Sequence, residues 1–305
     1  MTKSVRSESG KLAFKSPTKR DGWFLALGAL SLVVFGNRLY GLVTLASRDE
    51  RYTHILVVPM ISAGLIWVSR RKIFLESRYC PAVAIPALLV GIALLIATGR
   101  QPPSSGQDAS LRTAVLGIIL VWTALFVLCY GVRSLRSAGF AFLFLLFMLP
   151  IPAGVMDKAV IALQKGSADV TAIVFRLVGM PFLRVGFKFA LPGIDIEIAE
   201  ECSGIRSSLS LFLSGVLAAH LFLRSGWSQV CFALLIVPIV IFKNAVRIAT
   251  ISWLGVYVDR SFFFGNLHRY GGLPFSLLAV AILALVLLVL RKTETRDETA
   301  ASRSA

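Results

Sequence analysis

Long apolar segments separated by short polar segments run along most of the chain. An α-helix crosses the hydrocarbon core of a bilayer with about 17–25 apolar residues, and most of the apolar segments approach that length. We therefore predict an all-α fold, a polytopic membrane bundle of about eight transmembrane helices. The predicted helices cover about residues 22–45, 54–68, 81–98, 113–130, 138–149, 202–223, 230–257 and 273–290.

The stretch between the fifth and sixth predicted helices has a different pattern. Residues 155–178 mix apolar and charged positions, as in an amphipathic helix at a membrane interface or in a packed groove. Residues 184–189 and 194–198 then alternate apolar and polar positions with a period of two, and Pro192-Gly193 lies between them. Such alternation around a turn sequence is typical of a β-hairpin. We predict a short hairpin-like element just outside the membrane, ahead of Cys202.

The composition agrees with a membrane protein and decides how the charge is interpreted. Of the 305 residues, 56% are hydrophobic and only 16% are charged, a balance that a soluble protein of this length rarely has. The formal net charge of +16 would, by itself, favour a nucleic-acid ligand. Most of the basic residues, however, lie in short loops, where positive charge fixes the orientation of membrane helices. We therefore expect no binding of nucleic acid.

The basic segments also predict the orientation and the division of the chain. An even number of spans with basic sequence at both ends places both termini in the cytoplasm. The predicted parts are a basic cytoplasmic tail at 1–21, a transmembrane domain at 22–290 and a polar cytoplasmic tail at 291–305. On this topology, the start of the sixth helix and the loop before the eighth helix face the extracytoplasmic side of the membrane.

One of the four cysteines differs from the others. Cys80, Cys129 and Cys231 lie in or beside apolar segments and are interpreted as small buried side chains. No two cysteines form a C-x-x-C pair, and none has the spacing of metal ligands, so we expect no metal and no cofactor. Cys202 alone has polar residues on both sides, at the point where a polar segment becomes an apolar helix.

The predicted position of Cys202 suits a nucleophile. The first turn of a helix favours a thiolate through the helix dipole, and Arg206 lies one turn further along the same face. Gly204 allows a substrate or a second backbone to approach closely. His268 precedes the last helix on the same predicted side of the membrane, where it can take or supply a proton. Together these positions favour a cysteine-nucleophile enzyme.

Arg247, within the seventh predicted helix, is the strongest single feature. A guanidinium at such a depth costs at least about 2.5–3.5 kcal/mol unless it is paired or hydrated. Lys243 lies one turn earlier on the same face, so the two cations need an acidic neighbour or a bound anion. Two interpretations stay open. Arg247 either holds a carbonyl oxygen or a carboxylate of a peptide beside the thiolate, or forms a structural ion pair with Glu197, Glu200 or Glu201.

Three sequence blocks resemble those of one membrane-protein family. Cys202-Ser203-Gly204-Ile205-Arg206-Ser207, Asn244-x-x-Arg247-Ile248 and His268 are similar to the signature blocks of the exosortase/archaeosortase family. Leu149-Pro150-Ile151-Pro152 also resembles that family, as does Tyr52-Thr53-His54, which continues with Ile55 where a glycine is usual. The resemblance extends over about residues 22–290, so the predicted transmembrane domain is exosortase-like.

The resemblance implies a membrane-embedded cysteine transpeptidase. Its substrates would be exported proteins with a C-terminal signal made of a short motif such as Pro-Glu-Pro, a transmembrane helix and a basic tail. In the implied reaction Cys202 attacks a peptide bond near the motif and forms a thioester, which water or an acceptor amine or lipid then resolves. Arg247 is implied to stabilise the thiolate or the oxyanion, and His268 to handle the proton. Further residues implied to support the site or to bind substrate are Glu201, Ser203, Gly204, Arg206 and Asn244.

The implied location is the cell inner membrane, and the implied partners are the substrate, the lipid bilayer and proteins of exopolysaccharide biosynthesis. Two other functions fit the same residues. A transporter or lipid-flipping protein would use Lys243, Arg247 and Arg206 as an anion site and would need no thiol. A non-catalytic subunit of an exopolysaccharide-export system would form no covalent adduct with a substrate.

Overall fold

A computed structural model describes residues 19–74, 78–99, 107–198, 205–263 and 272–304. Contacts divide the chain into two compact units. The first contains the residues up to Val43 together with Val58–Leu149, and the second contains Thr44–Val57 together with the residues from Pro150 onward. The helices are α1 (Lys19–Val34), α2 (Gly36–Arg48), α3 (Val58–Val68), α4 (Arg70–Ile73), α5 (Pro81–Gly99), α6 (Gln107–Ser137), α7 (Gly139–Phe144), α8 (Ala153–Leu177), α9 (Ile205–Phe222), α10 (Gly226–Tyr257) and α11 (Gly272–Ser304), with 3₁₀ helices at Glu50–Leu56, Leu145–Met148 and Arg260–Phe263.

Five of the described helices are long and apolar enough to cross a membrane. These candidate spans are Glu50–Val68, Pro81–Thr98, Ala109–Ser137, Gly226–Tyr257 and Leu273–Thr295. Two further pairs of helices pass the same test only when each pair is counted as one broken span, which gives up to seven spans. The all-α membrane class is therefore confirmed, whereas the count of eight spans is not.

The differences from eight spans have local causes. The first predicted helix bends by 70° between α1 and α2, at Phe35. The fifth predicted helix is short, because the chain breaks before Pro150 and continues as α8. The sixth predicted helix corresponds to α9, whose apolar part, Ser207–Phe222, is shorter than a full span within the described residues. At the other end of the chain, α11 continues to Ser304, through most of the predicted polar tail.

The first unit is a helical bundle with an aromatic core. Phe24, Phe74, Phe126 and Tyr130 pack ring against ring, with centroids 4.6–6.2 Å apart. Each such pair contributes about 0.5–1.5 kcal/mol beyond the burial of its area. The hydroxyl of Tyr130 donates a hydrogen bond of 2.7 Å to Asp21. This ties α1 to α6 within the unit.

In the second unit a small antiparallel sheet lies between α8 and α9 in the sequence. Its strands are β1 (Leu183–Val185), β2 (Lys188–Leu191) and β3 (Ile194–Glu197), in the spatial order β1-β2-β3. The sequence predicts one hairpin-like element here, and the structure has three strands. The first alternating segment itself turns at Gly186, whose φ of +62° suits the first position of a tight hairpin turn. Gly193, with φ +79°, makes the second turn.

The sheet packs against α8 and α10 through its apolar face. Phe189 is fully buried and forms a triangle of rings with Phe175 of α8 and Phe182. Ile198, which follows β3, and Ala249 of α10 complete this core. The predicted amphipathic segment is thus the helix α8, and its apolar stripe covers the sheet.

The remaining helices of this unit form an antiparallel group. A short connection joins α9 to α10, and α11 packs against both of them. Their shared core includes Leu211, Phe232, Ile236, Ala279 and Leu283. The carboxylate of Glu294 on α11 accepts hydrogen bonds of 3.0 Å from the backbone N–H groups of Arg224 and Ser225. The late part of α11 therefore lies at the turn between α9 and α10.

Candidate functional site

The predicted site residues fall partly inside and partly outside the described residues. Two segments, 199–204 and 264–271, lie outside the described residues. The first contains Glu201, Cys202, Ser203 and Gly204, and the second contains His268. For Arg206, the backbone of α9 is described and the side chain is not. The roles predicted for these residues stay predictions.

Arg247 lines a cleft of about 70 Å³ on the surface of the second unit. Its side chain projects from α10 and is half-buried. The other walls come from the end of the sheet, from the next turn of α10 and from the last 3₁₀ helix, and are Ile196, Glu197, Ile198, Ile248, Ile251, Ser252 and Phe263. The cleft is therefore largely apolar, and its wall also contains one guanidinium, that of Arg247, and one carboxylate, that of Glu197.

Two of the residues that line this cleft have a special position along the chain. Ile198 is the last described residue before the segment that contains Cys202, and Phe263 is the last one before the segment that contains His268. Both residues are buried, with 2% and 8% of their surfaces exposed. The chain thus enters both segments from fixed points in the wall of the cleft that Arg247 lines.

Ile198 is held from two sides. Its backbone N–H donates a hydrogen bond of 3.0 Å to the carbonyl of Phe187. Its own carbonyl accepts a bond of 3.0 Å from the side-chain amide of Gln164 on α8. The sequence gives no sign of this role of Gln164, which is only one of the polar positions of an amphipathic helix. The partner of its amide becomes visible only once α8 and β3 are neighbours.

Lys243 holds the start of α9. Its ammonium is buried, with 3% of the residue exposed, and donates a bond of 2.6 Å to the hydroxyl of Ser207. No carboxylate among the described residues pairs with it. The prediction of an acidic neighbour for the Lys243–Arg247 pair is therefore not met at Lys243 by the part of the chain that the structure describes. Of the three predicted glutamate partners, Glu197 pairs with Lys188 at 3.6 Å.

Two contacts fix the register of α9 against α10. Ser207 meets Lys243, and Gly215 lies against Ile236. Because the two helices are antiparallel, a step forward along α10 matches a step back along α9. Arg247 lies one turn, about 6 Å, beyond Lys243. It therefore lies just past the amino-terminal end of the described part of α9.

The start of α11 lies at the same end of the group. About 33 Å of helix separates Gly272 from Glu294, which lies at the α9–α10 turn. A similar length, about 32 Å, separates Gly226, just after that turn, from Arg247. Since α10 and α11 are antiparallel, the beginning of α11 is at about the height of Arg247. Both ends of the segment that contains His268 thus lie at the Arg247 end.

Asn244 has a structural contact. Its side-chain amide nitrogen donates a bond of 3.0 Å to the hydroxyl of Ser167 on α8, and both residues are buried. Gly166, beside Ser167, lies directly against Ile241 of α10. The amide predicted to support the site therefore lies in the interface that holds α10 against α8.

Two of the other family-like segments meet each other. The hydroxyl of Tyr52, in the 3₁₀ helix before α3, donates a bond of 3.1 Å to the carbonyl of Ile151. That helix also packs on α9. His54 is close to its own helix, with its Nδ1 3.1 Å from the carbonyl of Arg51. The Arg51 guanidinium bonds Asp49 and holds the pKa of that carboxyl below its usual range.

Within the described part of the chain, no group of three or more His, Cys, Asp or Glu side chains converges. Of the remaining cysteines, Cys129 is buried as predicted, whereas Cys80 and Cys231 are only half-buried.

Comparison with known proteins identifies the family of the chain. The sequence profile of the transmembrane exosortase family matches residues 45–287. The match includes the 3₁₀ helix with Tyr52, the sheet, the cleft and both segments that adjoin it. No curated protein and no solved structure was found to match the chain. The profile covers well over half of the sequence, and the chain therefore belongs to the transmembrane exosortase family.

Proposed function

We propose that the protein is a membrane-embedded cysteine peptidase or transpeptidase that cleaves C-terminal sorting signals of exported proteins. The family is generally one of membrane cysteine transpeptidases involved in protein sorting. In this proposal Cys202 is the nucleophile, Arg247 stabilises negative charge, and His268 transfers the proton. The five supporting residues are those implied by the resemblance, namely Glu201, Ser203, Gly204, Arg206 and Asn244.

One observation carries the proposal: the cleft at Arg247 is bounded by the residues from which both remaining motifs depart. Cys202 follows Ile198 by four residues, so its Cα lies within about 14 Å of that residue at full extension. His268 follows Phe263 by five residues and precedes Gly272 by four, which limits it to about 18 Å and about 14 Å respectively. The lengths of the two segments are therefore compatible with a site at this cleft that contains a thiol, a guanidinium and an imidazole.

The proposed reaction has two steps. The Cys202 thiolate attacks the carbonyl carbon of the scissile peptide bond, and the carbonyl oxygen becomes an oxyanion beside the Arg247 guanidinium. The C–N bond then breaks, and the leaving amine takes a proton from His268. The thioester that remains is attacked by water or by an amine or hydroxyl of an acceptor, which gives up a proton to His268. The C–S bond breaks, and the thiolate is regenerated.

In the proposed reaction, the described contacts around the cleft position the segment that carries the nucleophile. Lys243 fixes Ser207, five residues after the nucleophile, and Gln164 fixes Ile198, four residues before it. The short segment that carries Cys202 is thus held at both ends. Such restraint is what a catalytic group needs, because displacements of about 1 Å can cost about 10²-fold in rate.

The proposal includes the location and topology predicted from the sequence. The protein spans the cell inner membrane, both termini are cytoplasmic, and the site opens on the extracytoplasmic face. Residues 1–21 and 291–305 are cytoplasmic tails, and 22–290 form the exosortase-like domain. The partners are substrates with a motif, a membrane helix and a basic tail, together with the bilayer and proteins of exopolysaccharide biosynthesis. No nucleic acid, metal or cofactor takes part.

One observation favours a second candidate, an anion transporter. Lys243 is a buried cation near a second cation, Arg247, and no carboxylate among the described side chains pairs with Lys243. Buried charges of this kind mark ion pathways in membrane proteins. A transporter would lose its function in Lys243→Met and keep it in Cys202→Ala. A peptidase would instead lose its activity in Cys202→Ala.

The direct test of the proposed reaction is capture of the thioester. Hydroxylamine added to purified enzyme and a reporter that carries the C-terminal signal should release the amino-terminal fragment as a hydroxamate, which mass spectrometry detects as a new C-terminal group. The same fragment should be found bound to Cys202 after acid quenching. Cleavage that yields neither species in the presence of hydroxylamine would contradict a covalent thioester route.

A substitution at Gly255 should affect the same site from a distance. A Cβ at this position of α10 would collide with the ring of Phe263, which lines the cleft and precedes the His268 segment. We expect Gly255→Ala to cost about 1–3 kcal/mol of stability through overpacking and to slow processing about tenfold or more. Gly226→Ala, in open space on the same helix, is the matched control. Equal processing rates in the two variants would show that Phe263 has no influence on the site.

A further inference from the structure

The strand β3 forms an edge of the sheet, and its hydrogen-bonding groups can be assigned. The backbone N–H of Ile198 donates a hydrogen bond to the carbonyl of Phe187, the residue that directly precedes β2, so these two residues form a bonded pair. Bonded and non-bonded pairs alternate along an antiparallel ladder, so Phe189 with Ile196 is a bonded pair and Lys188 with Glu197 is not. The main-chain N–H and C=O groups of Asp195 and Glu197 therefore point away from β2.

These outward groups are open. No hydrogen bond reaches the main chain of Asp195 or Glu197 from the other side within the described part of the chain, and both residues are exposed. Unpaired strand edges are templates for a further strand, and proteins protect them with short strands and charged side chains. The charges of Asp195 and Glu197 protect this edge against pairing with another copy of the chain. They leave the backbone groups available to a peptide.

In the sequence, β3 is followed closely by the segment that contains Cys202. Glu197 precedes Cys202 by five residues, and Ile196, Glu197 and Ile198 form one wall of the Arg247 cleft. At the other end of β3, a Cβ at Gly193 would lie 2.7 Å from the guanidinium of Arg260, so the turn is close to the 3₁₀ helix that leads to Phe263. A strand added at this edge would run along the cleft.

We propose that β3 binds the substrate as an added β-strand. The bound segment is the extended part of the sorting signal that precedes the substrate's own transmembrane helix. Its main chain pairs with the outward groups of Asp195 and Glu197, and an apolar side chain enters the cleft lined by Ile196, Ile248 and Phe263. This inference rests on the proposed peptidase function and adds the way in which the peptide is held.

The geometry explains how a short motif can suffice for recognition. Main-chain pairing provides affinity for any extended peptide, while pockets for alternate side chains provide selectivity. The cleft of about 70 Å³ has room for one small apolar side chain beside Arg247. The edge also presents the peptide in an extended form, in which the carbonyl groups that do not pair with β3 remain accessible.

A proline at the edge tests the inference. Glu197→Pro removes an N–H that the sheet does not use, and edge strands tolerate proline at such positions. Glu197→Ala loses the same side chain, including the exposed contact with Lys188, and keeps the N–H. We expect kcat/KM of Glu197→Pro to be about tenfold or more below that of Glu197→Ala, mainly through a higher KM, because one hydrogen bond is lost and the proline ring blocks the edge.

The opposite edge of the sheet supplies the control. Arg184 on β1 faces Phe189 in a non-bonded pair, so its N–H also points out of the sheet. Arg184→Pro and Arg184→Ala both lose the exposed ion pair with Asp169, which contributes little. Both should process the reporter equally. Asp195→Pro against Asp195→Ala repeats the test at the second outward position of β3 if Glu197→Pro fails to fold.

A peptide series tests the same point on the unaltered enzyme. Synthetic peptides covering the reporter's motif, each N-methylated at one amide, are assayed as inhibitors. Loss of inhibition at every second position supports strand pairing, and uniform inhibition along the series overturns it. Equal kcat/KM of the Pro and Ala variants at both β3 positions also overturns it. Cys202→Ala in the same assay separates the two proposals. If this variant is inactive while strand pairing is overturned, only the binding mode is wrong and the peptidase proposal stands. If the variant is active, the peptidase proposal itself fails.

Discussion

Cys202→Ala is expected to abolish processing of a reporter that carries the C-terminal sorting signal. The proposed reaction forms its only covalent intermediate on this sulfur, and alanine offers no nucleophile. Loss of the nucleophile in hydrolases of this general type lowers kcat by a factor on the order of 10⁴–10⁶. The rate is measured as the conversion of full-length reporter to the shortened product in proteoliposomes, under single-turnover conditions.

Cys231→Ala is the matched control for this variant. Cys231 is half-buried in the apolar helix α10, where it lies in the second turn, far from Arg247. About 24 Å of helix separates the two positions. Processing should be unchanged in Cys231→Ala. Processing at a normal rate in Cys202→Ala would exclude the cysteine peptidase and leave the transporter and the non-catalytic export subunit as the remaining candidates.

Arg247→Ala is expected to lower kcat by about 10²–10³-fold. A preorganised donor beside a developing oxyanion contributes about this much in enzymes where it has been removed, and Arg247 is the cation in the wall of the cleft. Arg247→Lys should restore only a part of the loss, because a lysine ammonium lacks the planar fork of the guanidinium. The measurement is a separate determination of kcat and KM for the same reporter.

The alternative role of Arg247, a structural ion pair with Glu200 or Glu201, makes a different prediction. Removing one member of a buried pair leaves an uncompensated charge and costs about 3–5 kcal/mol, whereas removing both members is often neutral. A purely structural role would therefore lower the unfolding temperature of Arg247→Ala. It would also allow Arg247→Met combined with Glu200→Gln and Glu201→Gln to regain both stability and processing. The peptidase account predicts a stable but inactive combined variant.

The apolar pattern predicted the membrane class and most of the helix positions. Segments such as 81–98 and 230–257 agree with α5 and α10 within a few residues, because about 20 apolar residues leave few alternatives. The first helix was predicted as continuous, and its bend at Phe35 has no proline to mark it. The third strand was missed because Gly186, the residue that makes the turn, lies inside an otherwise regular alternation.

The site was predicted only as far as single residues could indicate it. Arg247 and Lys243 were visible because cations are costly in an apolar helix. The bonds that organise the cleft join residues far apart in the chain, such as Gln164 with Ile198 and Lys243 with Ser207. These pairs depend on which helices are neighbours and in which register, and a single sequence does not contain that information.

The central claim is that Cys202 and His268 lie together with Arg247 at the cleft between α10 and the sheet. The most direct measurement is thiol cross-linking in a His268→Cys variant in which Cys80 and Cys129 are replaced by alanine. With Cys202 and Cys231 retained, mild oxidation or a short bifunctional thiol reagent should join Cys202 to the new cysteine at 268, and leave Cys231 unjoined. A link between positions 202 and 268 that forms quickly, and is slowed by a substrate peptide, is the predicted result. Absence of that link, or a link from position 268 to Cys231 instead, would contradict the account.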